Sequence, residues 1–185
     1  MGNEPLKMDA GEFQQAMVAI CAEFAQAVFS VEAAEAHRLA EAILAAATVF
    51  VTGEGRSGLV ARGFAMRLGH LGRRAYVTGE SVTPAAARGD LLLAVSGSGE
   101  TRVTVTQAET ARALGMRVAA VTAAPESALA RLADLRLLIP GDSDQYGGTL
   151  FEQTALVALD ALALALQRHL GRTGGEMDAR HANLE

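Results

Sequence analysis

Two glycine-rich segments, each lying between an apolar run and a helical pattern, carry the clearest chemistry in this sequence. Loop 1 (residues 51–58) reads Val-Thr-Gly-Glu-Gly-Arg-Ser-Gly, and loop 2 (residues 95–101) reads Val-Ser-Gly-Ser-Gly-Glu-Thr. Glycine lets the backbone approach an anion closely, hydroxyl groups add hydrogen-bond donors, and a helix N-terminus adds partial positive charge. Two such loops at strand ends of one sheet predict a site for a small phosphorylated ligand.

Loop 2 is the predicted phosphate-binding segment. Its hydroxyl groups and its backbone N–H groups are the expected ligands, and they belong to Ser96, Gly97, Ser98, Gly99, Glu100 and Thr101. The alternative is a glycine-rich strand–helix turn in which Thr101 is only the N-cap and Glu100 only favours the helix dipole. Three hydroxyl residues among two glycines exceed what a cap requires.

Loop 1 admits two interpretations. Its glycines match the Gly-x-Gly-x-x-Gly fingerprint of dinucleotide-binding proteins, with Glu80 placed after the next strand as a ribose partner. However, Arg56 and Ser57 put a charged and a hydroxyl side chain into the tight turn beside Gly55, which suits a compact anion. We predict that Ser57 binds sugar hydroxyls or phosphate and that Arg56 serves a substrate oxygen or a carboxylate. Thr83 is a candidate for the rim of the site.

The elements that must position these loops alternate along the chain. Apolar runs predict strands at 49–51, 75–77, 91–95, 118–121 and 135–139, and helical patterns fall at 9–29, 30–47, 57–71, 101–114, 127–132, 149–170 and 176–185. Alternation predicts a parallel sheet covered on both faces by right-handed crossovers. In the helix after loop 1, Leu59, Phe64, Leu68 and Leu71 are expected to point inward. The first two and last two helices are expected to pack on the sheet or on a partner chain.

Composition narrows the class of protein. The 185 residues are 50% hydrophobic with no Trp, and the net charge is −5 without a basic block. These values predict one domain with a good core and argue against nucleic-acid binding. No signal peptide or membrane span is predicted, and the lone Cys21 is expected to be a small buried hydrophobe in a reducing, cytoplasmic compartment. No His, Cys, Asp and Glu spacing resembles a metal site.

Six stretches together resemble the sugar isomerase (SIS) domain family, and within it the 6-phospho-3-hexuloisomerases. They lie at 53–58, 64–72, 79–84, 96–101, 148–152 and 179–185. The resemblance implies a flavodoxin-like, three-layer αβα sandwich with a five-stranded parallel sheet. It divides one SIS domain, 1–185, into N-terminal helices 9–47, an α/β core 48–139 and C-terminal helices 149–185. It also implies a homotetramer that uses neither metal nor cofactor.

The reaction implied by the resemblance interconverts D-arabino-hex-3-ulose 6-phosphate and D-fructose 6-phosphate through a cis-enediol, in the ribulose monophosphate route of formaldehyde fixation. Such a reaction needs a base, a proton donor near the oxygens and a grip on the phosphate. Glu152, in the first turn of an apolar helix, is the predicted base. From the residues alone, Thr149-x-x-Glu152 equally fits a capping box, and the resemblance favours catalysis.

His181 is the second catalytic candidate, because histidine titrates near neutral pH and shuttles protons. On the predicted terminal helix, Met177, His181 and Leu184 share one face, so a half-buried packing histidine is the alternative. A hinge at 171–175 would let this tail complete the site of a neighbouring subunit. His37 and His169 are expected on helix surfaces, and His70 is expected as a cation at a helix end.

Other functions remain open at this stage. They are a sugar-phosphate-sensing module without catalysis, a dinucleotide-dependent oxidoreductase, and an aldose–ketose isomerase acting on arabinose 5-phosphate or sedoheptulose 7-phosphate. One stretch departs from the family pattern. Where relatives commonly carry Pro-Leu/Met-Gly-Thr, residues 145–149 read Gln-Tyr-Gly-Gly-Thr, which predicts a looser turn before the helix.

Overall fold

A computed structural model of the protein describes residues 9–184, and its centre is a parallel sheet. The strands are β1 Val49–Thr52, β2 Ala75–Val77, β3 Leu91–Val95, β4 Arg117–Thr122 and β5 Leu135–Leu138. Their order is β2-β1-β3-β4-β5, and all four pairings are parallel. This is the flavodoxin-like order, so the predicted fold class is confirmed. Each strand matches its predicted position to within one residue.

The central strands are buried on both faces, and their side chains alternate between two cores. Leu91, Leu93 and Val95 belong to one hydrophobic cluster, and Leu92 and Ala94 belong to the other. This two-residue period is the pleat of a β-strand. β1 and β3 are neighbours in register, with Val51 opposite Leu93. Loops 1 and 2 therefore leave adjacent strands at the same edge of the sheet.

Within residues 9–184, seven helices surround the sheet. They are α1 Ala10–Phe29, α2 Ala33–Ala45, α3 Gly55–His70, α4 Arg102–Ala113, α5 Ala128–Leu132, α6 Thr149–His169 and α7 Gly174–Asp178. Side chains of α2, α3 and α6 fill the larger cluster, including Phe64 and Phe151. Side chains of α4 and α5 fill the other cluster, around Phe50 and Leu129. The sheet is thus covered on both faces, as predicted.

Helix α1 begins at the predicted capping box, in which the Asp9 carboxylate accepts from Glu12 N–H at 2.7 Å. It packs on α6 and leaves much of its apolar surface outward, with Phe13 54% and Met17 45% exposed. Cys21 is also exposed, so its predicted burial is wrong. Apolar composition identified the helix, but α1 contacts its own chain along one narrow face.

Helix α3 contradicts one inward assignment. Phe64, Leu68 and Leu71 are buried as predicted, whereas Leu59 is 67% exposed. The buried side chains Val60, Ala61, Phe64, Ala65 and Leu68 recur at three- and four-residue spacing. Leu59 lies outside that stripe and points away from the core.

The C-terminal segment differs most from expectation. Thr173 forms a capping box with Glu176, so α7 starts at Gly174 inside the predicted hinge, and it ends at Asp178. The Arg180 side chain donates to the Glu176 carbonyl at 2.7 Å, and His181 N–H donates to Asp178 at 3.0 Å. These bonds close tight turns in place of another helical turn. The predicted helix 176–185, with its shared face for Met177, His181 and Leu184, is therefore wrong, and Glu185 lies outside the described residues.

Helix α6 has the length and hydropathy of a membrane-spanning helix. In the most hydrophobic 18-residue stretch of α6, 44% is buried inside the fold. A core helix of a soluble protein has the same properties, so the absence of a membrane span stays a prediction.

Candidate active site

Loops 1 and 2 touch where β1 and β3 end, which is the topological switch point of this strand order. A Cβ on Gly53 would lie 2.8 Å from the Val95 carbonyl oxygen, and one on Gly58 would lie 2.5 Å from the Gly53 oxygen. Gly55 has a φ of 58°, in the left-handed region. Loop 1 thus uses glycine for close packing and for a turn that other residues disfavour.

Within loop 2, Ser96 maintains the shape of the loop. Its side chain is buried, and its Oγ accepts from Gly99 N–H at 3.2 Å and lies 3.1 Å from Thr101 Oγ1. Thr101 is the N-cap residue of α4, and its hydroxyl makes no cap bond. The N-cap alternative for Thr101 therefore lacks its defining hydrogen bond.

Ser98 and Glu100 have different surroundings. Ser98 is exposed, and its Oγ accepts from Glu100 N–H at 3.2 Å. The Glu100 carboxylate accepts from Ala128 N–H at 2.8 Å, which places it at the N-terminus of α5. The Glu100 side chain thus supports a neighbouring helix, while the Ser98 side chain lies toward solvent.

Glu152 lies beside both loops. Its carboxylate forms an ion pair with Arg56 at 2.5 Å, and its side chain is 16% exposed against 59% for Arg56. A Cβ on Gly97 would lie 3.0 Å from the ring of Phe151, so loop 2 packs directly against the start of α6. Of the two partners predicted for Arg56, a substrate oxygen or a carboxylate, the structure shows the carboxylate.

The capping-box alternative for Glu152 is not formed. The N-cap residue of α6 is Gly148, with no side-chain cap bond, and the Thr149 hydroxyl donates to the Tyr146 carbonyl at 2.7 Å. Because the Glu152 carboxylate pairs with Arg56 and does not cap the helix, it points toward loop 1.

The remaining loop residues are arranged around this centre. Ser57 is buried in the first turn of α3. The Thr83 hydroxyl donates to the Val77 carbonyl at 2.5 Å and borders a different hollow, next to β2 and α4. Glu80 pairs with Arg62 of α3. The structure therefore groups Arg56, Ser57 and Glu152 with loop 2 and places Thr83 and Glu80 at the β2 side.

His181 lies at the other end of α3. Its ring stacks on His70, with ring centroids 5.0 Å apart and planes inclined by 26°. Helix α3 has 16 residues and is about 24 Å long, with Arg56 in its first turn and His70 at its end. A single chain therefore does not bring His181 to Glu152.

The sequence predicted His70 to be a cation at a helix end, and the structure contradicts that prediction. It is buried, which lowers the pKa of its imidazole, and nearby charge on His181 and Arg67 lowers it further, against an opposing effect of Asp178. It is followed directly by the buried Leu71, at the point where α3 ends against the fold.

Gln107 is a further polar residue near the site that the sequence did not predict. Its Oε1 accepts from the hydroxyl groups of Thr52 and Thr78, in a polar cleft behind loop 1. It interrupts the small, buried face of α4 formed by Thr104, Ala108 and Ala111. A polar residue in such a row was the available signal. Across residues 9–184, no group of three or more His, Cys, Asp or Glu side chains could hold a metal ion.

Proteins of related sequence cover most of this chain. A 3-hexulose-6-phosphate isomerase from Mycobacterium gastri is 44% identical over 172 residues, covering 88% of this chain and 86% of that protein. A 3-hexulose-6-phosphate isomerase from Bacillus subtilis is 44% identical over 161 residues, covering 82% of this chain and 87% of that protein.

Solved structures and family models agree with these relatives. A crystal structure of a Methanococcus jannaschii protein, for which a 3-hexulose-6-phosphate isomerase function was inferred, superposes with a TM-score of 0.84 at 30% identity and covers 92% of this chain and 99% of that chain. The family model described as SIS domain matches residues 42–165. The resemblance predicted from the sequence is confirmed, and the chain belongs to the SIS domain family.

Proposed function

We propose that this protein interconverts D-arabino-hex-3-ulose 6-phosphate and D-fructose 6-phosphate. The observation that carries the proposal is the Glu152 carboxylate, held by Arg56 at 2.5 Å beside two glycine-rich loops. The relatives named 3-hexulose-6-phosphate isomerase support the same substrate class. As the resemblance implies, we place the reaction in the ribulose monophosphate pathway, in the cytoplasm. We also treat the chain as one SIS domain.

Moving the carbonyl from C3 to C2 requires only proton transfers. Glu152 removes the proton from C2, the C2–C3 bond becomes the double bond of a cis-enediol, and the same carboxyl returns a proton to C3. A second proton moves from O2 to O3, so no electrons are exchanged with a cofactor. Arg56, beside the carboxylate, is placed to contact the developing charge on the sugar oxygens.

Loop 2 is the proposed phosphate grip. Ser98 is exposed at the loop tip, and the backbone N–H groups that follow it open helix α4, where the helix dipole favours an anion. The Glu100 N–H donates to Ser98 Oγ at 3.2 Å, and rotation of the Ser98 side chain frees this N–H for phosphate. Ser96 and Thr101 support the loop from behind and complete the set of hydroxyl groups.

The proposal assigns His181 to the site of a neighbouring subunit in a homo-oligomer, a tetramer by resemblance. Beside Arg56 and Glu152 runs a groove of about 360 Å³ that Leu59 and Leu156 border, both of them exposed apolar side chains. A second copy lying over this groove would bury them and would exclude water from the carboxylate. His181 then shuttles the proton between O2 and O3.

A coupled assay tests the activity. Formaldehyde, ribulose 5-phosphate and a hexulose-phosphate synthase generate the substrate, and fructose 6-phosphate is measured as it forms. Arabinose 5-phosphate and sedoheptulose 7-phosphate serve as competing substrates. We expect turnover only of the hexulose phosphate. Thermal stabilisation by fructose 6-phosphate without turnover would instead identify a binding module, and stabilisation by NAD would revive the dinucleotide interpretation.

A further inference from the structure

The loop that leads into α6 borders the candidate base, and four of its last five residues before α6 are exposed. Residues 140–148 include three glycines, and Gly147 has a φ of 64°. Tyr146 is 97% exposed. A Cβ on Gly148 would lie 3.8 Å from Glu152 Oε1, and the Gly148 carbonyl accepts from Glu152 N–H at 2.9 Å. The position of Gly148 is therefore coupled to Glu152, through the Glu152 backbone N–H and beside its carboxylate.

A carboxylate from α1 fixes the loop. One oxygen of Glu23 accepts from Ser143 Oγ at 2.7 Å and from Gln145 Nε2 at 2.8 Å. Ser143 Oγ in turn accepts from Gln145 N–H at 2.9 Å. The hydroxyl thus donates to Glu23 while it receives from the backbone, and such a chain of hydrogen bonds polarises its members.

The charge on Glu23 fits this role. The hydrogen bonds from Ser143 and then from Gln145 lower the pKa of the Glu23 carboxyl, against the opposing effect of burial. The group is therefore ionised at neutral pH, and hydrogen bonds to an ionised acceptor are the stronger kind. The side chain is only partly exposed, and it lies on a helix that packs on α6.

We propose that Glu23 is a positioning residue of the site, which fixes loop 140–148 from α1 and thereby holds the start of α6 and the Glu152 carboxylate in place. The inference rests on the proposed function in taking Glu152 as the base. Glu23 itself contacts no reacting atom.

The test joins an activity readout to a loop readout. Glu23→Ala removes the acceptor of both hydrogen bonds, and kcat should fall between about tenfold and 10²-fold, as expected for a displaced catalytic group. Glu23→Gln keeps one oxygen as acceptor and should recover most of the loss. Glu41→Gln, an exposed carboxylate of α2 paired only with His37 among the described salt bridges, is the matched control and should match wild type.

The loop readout does not depend on turnover. The sequence has no Trp, so Tyr146→Trp introduces a single fluorophore at an exposed position of the loop. In that background, Glu23→Ala should lower the fluorescence anisotropy, and Glu23→Gln should give an intermediate value. Ser143→Ala with Gln145→Ala repeats the test from the loop side if the α1 variant does not fold.

The outcomes separate this inference from the proposed function. Unchanged anisotropy and unchanged kcat in Glu23→Ala would overturn the positioning role, and so would a lower melting temperature with kcat unaffected. If the wild type turns over no hexulose phosphate, the proposed function fails. The inference then falls as well, because without a base there is nothing to position, and a change in anisotropy would identify only a loop tether.

Discussion

A pair of ionisable side chains lies at each end of helix α3, and the two pairs differ in charge and in surroundings. At the N-terminal end, Arg56 and Glu152 carry opposite charges, lie 2.5 Å apart and open to a groove beside the glycine loops. At the C-terminal end, His70 and His181 are like groups that stack 5.0 Å apart over a buried surface. The first pair lies where ligand charge would arrive, and the second joins the tail to its own chain.

This difference teaches that one folded chain holds the candidate site in two parts. The proposed base and the proposed phosphate loop meet at one end, and the histidine expected to assist them lies a helix length away. Two neighbouring chains that place one end of α3 against the other would join both parts. The predictions that follow test the two ends separately, from the largest expected effect to the smallest.

The strongest test replaces the carboxylate at the N-terminal end. Glu152→Gln keeps the side-chain shape but removes the proposed base, so kcat should fall by about 10²–10⁴-fold, the usual contribution of general acid–base catalysis. Asp160→Asn is the matched control, because Asp160 also lies on α6 and also pairs with an arginine of α3, Arg67, at 3.8 Å. Coupled assays should find the control within a few-fold of wild type. Near-normal turnover by Glu152→Gln would show that Glu152 is not the base.

The next test joins the two ends. His181→Ala should lower kcat by about 10²-fold if the imidazole shuttles a proton. Mixing Glu152→Gln chains with His181→Ala chains, after dissociation and reassembly, should raise the activity above that of either variant alone, because some sites then receive both intact groups. If no mixture regains activity, the two ends do not meet across an interface.

Substrate affinity should depend on the first end only. Ser98→Ala removes a hydroxyl that we propose to bond the ionised phosphate, an interaction worth about 1.5–3 kcal/mol, so KM should rise about 10- to 100-fold. Ser96→Ala removes a buried loop bond and should lower the melting temperature more than it changes KM. His70→Gln should leave KM unchanged. Steady-state kinetics with thermal unfolding checks all three, and an unchanged KM in Ser98→Ala would move the phosphate elsewhere.

The smallest expected effect is a pH dependence at the second end. Burial holds the pKa of folded His70 below the ordinary 6.5, so between the two values the unfolded chain binds more protons. The stability contributed by neutral His70 is therefore present above about pH 6.5 and is lost as the pH falls through the folded pKa. Melting temperatures between pH 7.5 and 5.5 should fall by a few degrees less in His70→Gln than in wild type. His37→Gln, an exposed histidine, should keep the wild-type slope.

Local patterns in the chain predicted most of the elements well. Apolar runs placed all five strands, and the Asp9–Glu12 capping box placed the start of α1. The two glycine loops were identified because their turns need residues such as Gly55, with a φ of 58°. Such features depend on hydrogen bonds and sterics among near neighbours, which a sequence displays directly.

Contacts between distant segments were decided only by the tertiary structure. Whether Glu152 caps its own helix or pairs with Arg56, almost a hundred residues earlier, depends on how α6 packs on α3. The division of work between buried Ser96 and exposed Ser98 depends on how loop 2 packs against α5 and α6. The path of the tail was fixed by side chains such as Arg180 bonding the end of α7.

The sequence by itself thus determined the strand–helix alternation, the fold class and the two loops, because periodicity and turn chemistry are local. The tertiary structure alone decided which charged and polar groups meet. Partner choice at a site depends on the packing of crossovers far apart in the chain, and no local pattern encodes that packing.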